Sequence, residues 1–201
     1  TLQRTDETEE DDDWRRGEFW GLENTSGHYD QIGKILELTD DYVVREFFPV
    51  DNLIKPGDKV RLDSFSYPIN PEISFSMAFQ EISYLSPLGE FPAWLVVGTS
   101  DDWVVLVHGK TADRREALRI LPTLHELGLN ILVITYRNDE GLPNDPDGFY
   151  QYGLTEWEDL ESAVQYALEN GASKLILMGH SMGGAIVTNF LYQSNLENKV
   201  T

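Results

Sequence analysis

One stretch of the chain, Lys174 to Gly184, restricts its possible folds more than any other. Leu175 to Met178 form an apolar run of strand length, and the sequence Gly-His-Ser-Met-Gly follows directly. The small residues after it are suited to the start of a helix. A strand–turn–helix unit of this kind lifts a serine hydroxyl above the edge of a sheet, where a substrate can reach it. We therefore interpret Ser181 as a nucleophile, the alternative being a structural serine in a tight turn.

The glycines of this turn have a steric reason. A serine at so sharp a turn takes a strained backbone conformation, and side chains two residues to either side would clash. Gly179 and Gly183 remove those Cβ atoms. The helix that follows starts with unpaired backbone N–H groups, so the N–H of Met182 is a predicted oxyanion-hole donor. A Gly-x-Ser-x-Gly match alone is weak, since roughly one chain in fifteen of this length contains one by chance.

The context of the turn predicts an α/β fold. Short apolar runs are typical of parallel strands buried on both faces, and helical patterns separate them here. An alternating hairpin precedes them, so we expect an α/β-hydrolase-type, mostly parallel sheet with an antiparallel N-terminal hairpin. The predicted strands are 79–85 and 91–97 in the hairpin, then 103–107, 131–134 and 175–178, with helices at 113–128, from Thr155 to Gly171, and at 182–193.

The first of these helices contains a conflict. Asp113 and Glu116 have the spacing of a capping box, and Gly128 ends the apolar stripe. Pro122 lies inside the pattern, so we expect a kink or a broken last turn there.

The chain divides into three predicted segments. Residues 1–13 hold a dense acidic block and are expected to be a disordered tail. Residues 14–78 are interpreted as an accessory region, in which Ile32, Ile35 and Leu36 have helical spacing. Residues 79–201 are predicted to be the N-terminal part of an α/β-hydrolase domain.

The chemistry is expected at the carboxyl ends of the strands. His108, Gly109 and Lys110 directly follow a predicted strand: the glycine allows a tight bend, and the backbone N–H of Lys110 is the predicted second oxyanion donor. We expect His108 to fasten this loop by hydrogen bonding rather than to act as a base.

The loop 137–152 lies at the same edge of the sheet. Its carboxylates, Asp139, Glu140, Asp145 and Asp147, are interpreted as a solvated rim rather than a metal site. For its aromatic residues, Phe149, Tyr150 and Tyr152, substrate contact and packing over the sheet end stay equally open.

The motifs at 105–109 (Val-Leu-Val-His-Gly), 135–137 (Thr-Tyr-Arg), 153–159 and 179–184 resemble the α/β-hydrolase fold family. Within it, the chain is similar to the serine aminopeptidase-like and acyl-peptidase-like esterases. The resemblance implies hydrolysis of an ester, amide or thioester through an acyl-enzyme on Ser181. It also implies an acid and a histidine after the nucleophile, and this chain has no catalytic acid or His at such positions, so alone it is expected to be inactive. A non-catalytic binding protein and an acyltransferase are the alternatives.

Charge and composition exclude several partners. The 35 acidic and 15 basic residues give a formal net charge of −20, which argues against nucleic acid and anionic membrane surfaces. Cysteine is absent, so disulfides and thiolate metal sites are excluded. No apolar run reaches the length of a membrane helix. We predict no cofactor and no metal, and a small-molecule or peptide acyl substrate as partner. The compartment is undetermined: the cytoplasm is favoured, and a removed N-terminal signal or anchor stays open.

Overall fold

The computed structural model describes residues 1–3, 15 and 19–201. It forms two compact units, residues 1–74 and 75–201, and the second begins close to the predicted domain start at residue 79. The acidic block lies outside the described residues, so its disorder stays a prediction. Leu2–Gln3, within the segment predicted to be disordered, forms a strand, β1.

Within the described residues, the first unit is a five-stranded antiparallel sheet in the order β1-β4-β3-β2-β5. After β1, the strands are β2 (Trp20–Asn24), β3 (Tyr29–Leu38), β4 (Tyr42–Phe48) and β5 (Val60–Asp63), and a short helix follows, α1 (Pro71–Phe75).

The helical spacing of Ile32, Ile35 and Leu36 does not correspond to a helix, because these residues belong to β3. The pairing of β3 with β4 shifts register between Ile32 and Ile35, and again between Ile35 and Glu37. Bulges of this kind insert extra residues and break the two-residue alternation of a strand. The apolar residues therefore recur at intervals of three, which imitates a helix.

The described part of the second unit contains a five-stranded sheet in the order β10-β8-β9-β7-β6. The first two strands form the predicted hairpin, and β7 also pairs antiparallel with β9. The remaining pairs, β10 with β8 and β8 with β9, are parallel as predicted. The strands are β6 (Gln80–Ser86), β7 (Gly89–Val96), β8 (Asp102–Val107), β9 (Asn130–Ile134) and β10 (Lys174–Gly179).

The helices connect the parallel strands. The predicted helix 113–128 is broken into a 3-10 turn, Arg114–Arg119, and α2, Leu121–Glu126. Pro122 lies in the first turn of α2, where its missing N–H costs no hydrogen bond. The other helices are α3 (Trp157–Glu169) and α4 (Met182–Gln193), and a last 3-10 turn covers Glu197–Lys199. No helix of the described residues has the length and apolar character needed to cross a bilayer.

One expectation about β10 is wrong. This strand was predicted to be buried on both faces, yet its side chains alternate: Leu175 is fully buried, whereas Ile176 and Met178 are 39% and 45% exposed. The buried face packs on α4. At the outer edge, Leu175 forms an isolated parallel bridge with Val200.

Candidate active site

Ser181 stands at the junction of β10 and α4. Its backbone is strained, with φ 51° and ψ −117°, a conformation that L-residues rarely take. A Cβ on Gly179 would collide with the carbonyl of Gly183, and a Cβ on Gly183 would lie 2.7 Å from the carbonyl oxygen of His108 and collide with that of Val107. Both glycines are therefore required by close backbone approach, as the sequence pattern indicated.

The predicted oxyanion donors lie on the two segments that meet at Ser181. Met182 is the first residue of α4, so its N–H has no partner inside the helix. Gly109 lies against the serine, because a Cβ added to it would be 3.2 Å from the Cβ of Ser181, and Lys110 is the next residue. Within the described part of the chain, neither N–H donates a hydrogen bond. The structure thus brings these residues together, and their roles as donors stay predictions.

Glu116 joins the two segments. One carboxylate oxygen accepts the Gly109 N–H at 2.7 Å, and the other lies 3.0 Å from His180 Nδ1. The predicted capping box is wrong, because Asp113 caps the turn by accepting from the Arg115 N–H while the Glu116 side chain points to the active-site loop. The sequence pattern did not indicate that Glu116 is a site residue, since its spacing from Asp113 also fits a helix cap.

The side chain of His108 also holds this loop in place. Its Nε2 is 2.9 Å from Asp139 Oδ2, its Nδ1 is 2.9 Å from the Gly109 carbonyl oxygen, and its ring stacks on Tyr136. Burial alone lowers the pKa of His108, but Asp139 and the carbonyl outweigh it, so the pKa is raised. Both ring nitrogens face acceptors, which favours the imidazolium. The solvated-rim interpretation is wrong for Asp139, which is buried by this pairing.

A buried ion cluster anchors the loop 137–152. Arg137 donates to both oxygens of Asp159, at 2.8 Å from Nε and 3.0 Å from Nη2, and its other contacts are Asp145 at 3.3 Å and Glu158 at 2.8 Å. Asp159 also accepts from Ser86. Asp145 is buried, so the rim interpretation is wrong here too, whereas Glu140 and Asp147 are exposed. Pairing inside the protein stabilises carboxylates that would otherwise need water.

Aromatic side chains of this loop meet Lys110. Its Nζ donates to the hydroxyl of Tyr152 at 2.8 Å, and lies 5.0 Å and 6.0 Å from the ring centres of Tyr152 and Tyr150. The fully buried side chain of Glu156 holds the turn by accepting hydrogen bonds from the N–H groups of Gln151 and Gly153. Tyr152 therefore contacts a site loop and is more than half exposed to solvent.

A base for Ser181 is not among these contacts. The described part of the chain offers its hydroxyl no hydrogen-bond partner, since His180 faces Glu116 and His108 faces Asp139. His125 lies on α2, and His28 pairs with Asp51 in the first unit. The described residues also contain no cluster of three or more His, Cys, Asp or Glu placed to hold a metal ion.

Of the comparisons with known proteins, the one with solved structures found proteins similar to this chain. No protein-family model matches the chain, and no curated protein matches it. Among solved structures, the esterase Pf2001 of Pyrococcus furiosus is similar with a TM-score of 0.57 and 19% identity, over 66% of this chain and 52% of that one. DcsB, solved with its substrate analogue, has a TM-score of 0.52 and 18% identity, over 61% and 43%.

The chain thus spans about half the length of the solved structures that it matches. In the sheet of the second unit, the order β10-β8-β9-β7-β6 places one parallel strand on each side of β8 and the hairpin at one edge. The strained serine between β10 and α4 lies at the carboxyl end of that sheet. From these observations together, the chain has the α/β-hydrolase fold.

Proposed function

We propose that this chain supplies the nucleophile and oxyanion hole of a serine hydrolase that cleaves an ester or a peptide-like amide. The observation that carries the proposal is the backbone of Ser181, held at φ 51° between a parallel strand and a helix N-terminus with its side chain exposed. A strained, exposed serine in this position has no packing role to explain it. The similarity to an esterase supports the same class of reaction.

The reaction would proceed by acyl transfer. Ser181 Oγ attacks the carbonyl carbon of the substrate and gives its proton to a general base, and the carbonyl oxygen becomes an oxyanion. The N–H groups of Met182 and Lys110 donate to that oxyanion. Collapse of the intermediate breaks the bond to the alcohol or amine, which leaves with a proton, and water then releases the acid from Ser181. One such donor is worth roughly 3–4 kcal/mol of transition-state stabilisation.

The proposed reaction also needs an acid and a base. The resemblance to α/β-hydrolases implies that both follow the nucleophile, and Glu197 is the acidic residue that follows Ser181 in this sequence. We therefore assign neither role to a residue of this chain. The activity proposed is that of the whole protein in which the chain works.

A fluorophosphonate probe tests the nucleophile. The longest natural protein that contains this chain should be labelled, and Ser181→Ala should abolish the labelling. Ser173→Ala is the matched control, because Ser173 is exposed beside the opposite end of β10 and should leave labelling unchanged. Labelling that persists in Ser181→Ala would refute the assignment. Absence of labelling in the unaltered protein would favour the non-catalytic alternative, and product analysis with a competing alcohol would detect acyl transfer.

A further inference from the structure

We propose that Lys110 and Tyr152 form a subsite for a carboxylate of the substrate, so that the protein prefers acyl substrates that carry a negative charge near the scissile bond. The inference rests on the proposed function, because it assigns a substrate class to the same site. It concerns the side chain of Lys110, whereas the oxyanion hole uses its backbone.

The first support is that the ammonium of Lys110 has no carboxylate partner. No ion pair links it to any described Asp or Glu, although the chain has 35 acidic residues. Its neighbours are the phenol oxygen of Tyr152 and the rings of Tyr150 and Tyr152. An ammonium has three N–H donors and here uses one, so two are free for an anion.

Four of the acidic side chains around the site are already engaged with other groups, so they do not pair with this cation. Asp139 is bound to a histidine, and Asp145 to an arginine and a threonine hydroxyl. Glu156 accepts two backbone N–H groups, and Glu116 accepts one while pairing with His180. The Lys110 ammonium contacts none of these four carboxylates, so it is available to an anion from outside.

The lysine–tyrosine contact is built from unfavourable backbone on both sides. Thr111, next to the lysine, has φ 58°, and Tyr152 has φ 53°, a conformation that is rare for a bulky residue. The Tyr152 turn is held by Glu156 and pressed onto α4, since a Cβ on Gly153 would be 2.7 Å from the carbonyl oxygen of Ala185. Strain that the surroundings enforce at a site edge commonly serves binding.

The subsite is carried by the loop that lies against the nucleophile. Gly109 contacts Ser181, and the Cα of Lys110 is about 3.8 Å further along the chain. The ammonium is therefore within one lysine side chain of a residue that touches the serine. One ammonium and one phenol hydroxyl match the single charge and two oxygens of a carboxylate, which charge-assisted hydrogen bonds bind well.

Binding to an inactivated protein tests the subsite without relying on turnover. In the full protein carrying Ser181→Ala, calorimetry compares monomethyl glutarate with its uncharged counterpart methyl valerate. The anionic ester should bind about tenfold more tightly, as expected for a charge-assisted hydrogen bond. Lys110→Met should remove that preference and Lys110→Arg should retain much of it. Lys174→Met, at the opposite end of β10, should leave it intact, because that lysine contacts Asp102 instead.

The outcomes separate the two proposals. Equal affinities for the two esters, no measurable binding of the anionic one, or a preference that survives Lys110→Met would each overturn the subsite. Retention of the preference by Lys110→Arg ties it to the positive charge, and an unchanged far-UV circular dichroism spectrum of Lys110→Met excludes misfolding as the cause of its loss there. Failure of fluorophosphonate labelling in the unaltered protein would overturn the proposed function alone, since the carboxylate preference is measured on the Ser181→Ala protein.

Discussion

Arg137 should be one of the most costly side chains to remove from the second unit. Its guanidinium is 3% exposed and binds Asp159, which is fully buried, and Asp145, which is 4% exposed. Arg137→Met keeps most of the side-chain volume but leaves two buried carboxylates without their cation. Breaking a buried pair from one side costs about 3–5 kcal/mol, because the remaining charge stays desolvated.

That cost converts into a measurable melting shift. At about 4 °C for each kcal/mol, a value suited to a unit of this size, Arg137→Met should lower the Tm by about 12–20 °C. Far-UV circular dichroism of the chain at pH 7 follows the transition. Lys174→Met is the control: its pair with Asp102 is exposed, with a contact of 3.8 Å, so it should change stability by at most about 1 kcal/mol.

A double-mutant cycle identifies the cause. Arg137→Met combined with Asp159→Asn should cost less than the sum of the two single changes, since the second removes a charge that the first leaves unpaired. If Arg137→Met melts within a few degrees of Lys174→Met, or if the cycle is additive, the cluster does not contribute as the burial and distances indicate.

Two further predictions concern the Glu116 side chain and the loss of stability at low pH. Glu116→Ala leaves the Gly109 N–H without an acceptor and should slow fluorophosphonate labelling about 100-fold, comparable to loss of an oxyanion donor, while Glu116→Gln, which keeps an acceptor, should retain most of the rate; equal rates in all three proteins would contradict the positioning role. Burial raises the pKa of Asp145, but hydrogen bonds from Thr155, the Asp147 N–H and Arg137 lower it more, so the pKa lies below its usual 3.8. Its contribution to stability is therefore complete above about pH 4 and lost as the pH falls through the folded-state pKa. Because Arg137 supplies part of this lowering, Arg137→Met should lose less stability than the unaltered chain between pH 5 and pH 3. Equal falls of Tm in the two proteins over that range would refute this.

The sequence predicted most closely those elements whose pattern depends on local rules. The α4 helix has the predicted bounds, 182–193, because a Gly-x-Ser-x-Gly turn leaves a single place for it to start. The parallel strands were predictable from apolar runs, since strands in the middle of such a sheet are covered on both sides. For β10 the same rule failed, because Ile176 and Met178 lie on a face that the described chain covers only in part.

The errors arise where side chains choose partners far along the chain. Asp139 and Asp145 lie in a polar loop. The sequence of that loop does not indicate that a histidine 31 residues earlier binds Asp139, or that a buried arginine binds Asp145. Glu116 had a plausible local partner and took a distant one instead. The helical spacing within β3 was misleading for a related reason. It arises from bulges, and bulges depend on the partner strand. The roles of Ser181, Met182 and Lys110 remain predictions that chemistry must test.

The contacts of the loop 137–152 also bear on how the site can move. Arg137 at its start binds Asp159, Asp145 in its middle binds Thr155, and Glu156 holds its end, so the loop is fastened along its length to the beginning of α3. Opening of the loop alone would break buried charge contacts. We therefore expect the loop to move together with the start of α3, and hydrogen exchange of its backbone amides to follow that of α3.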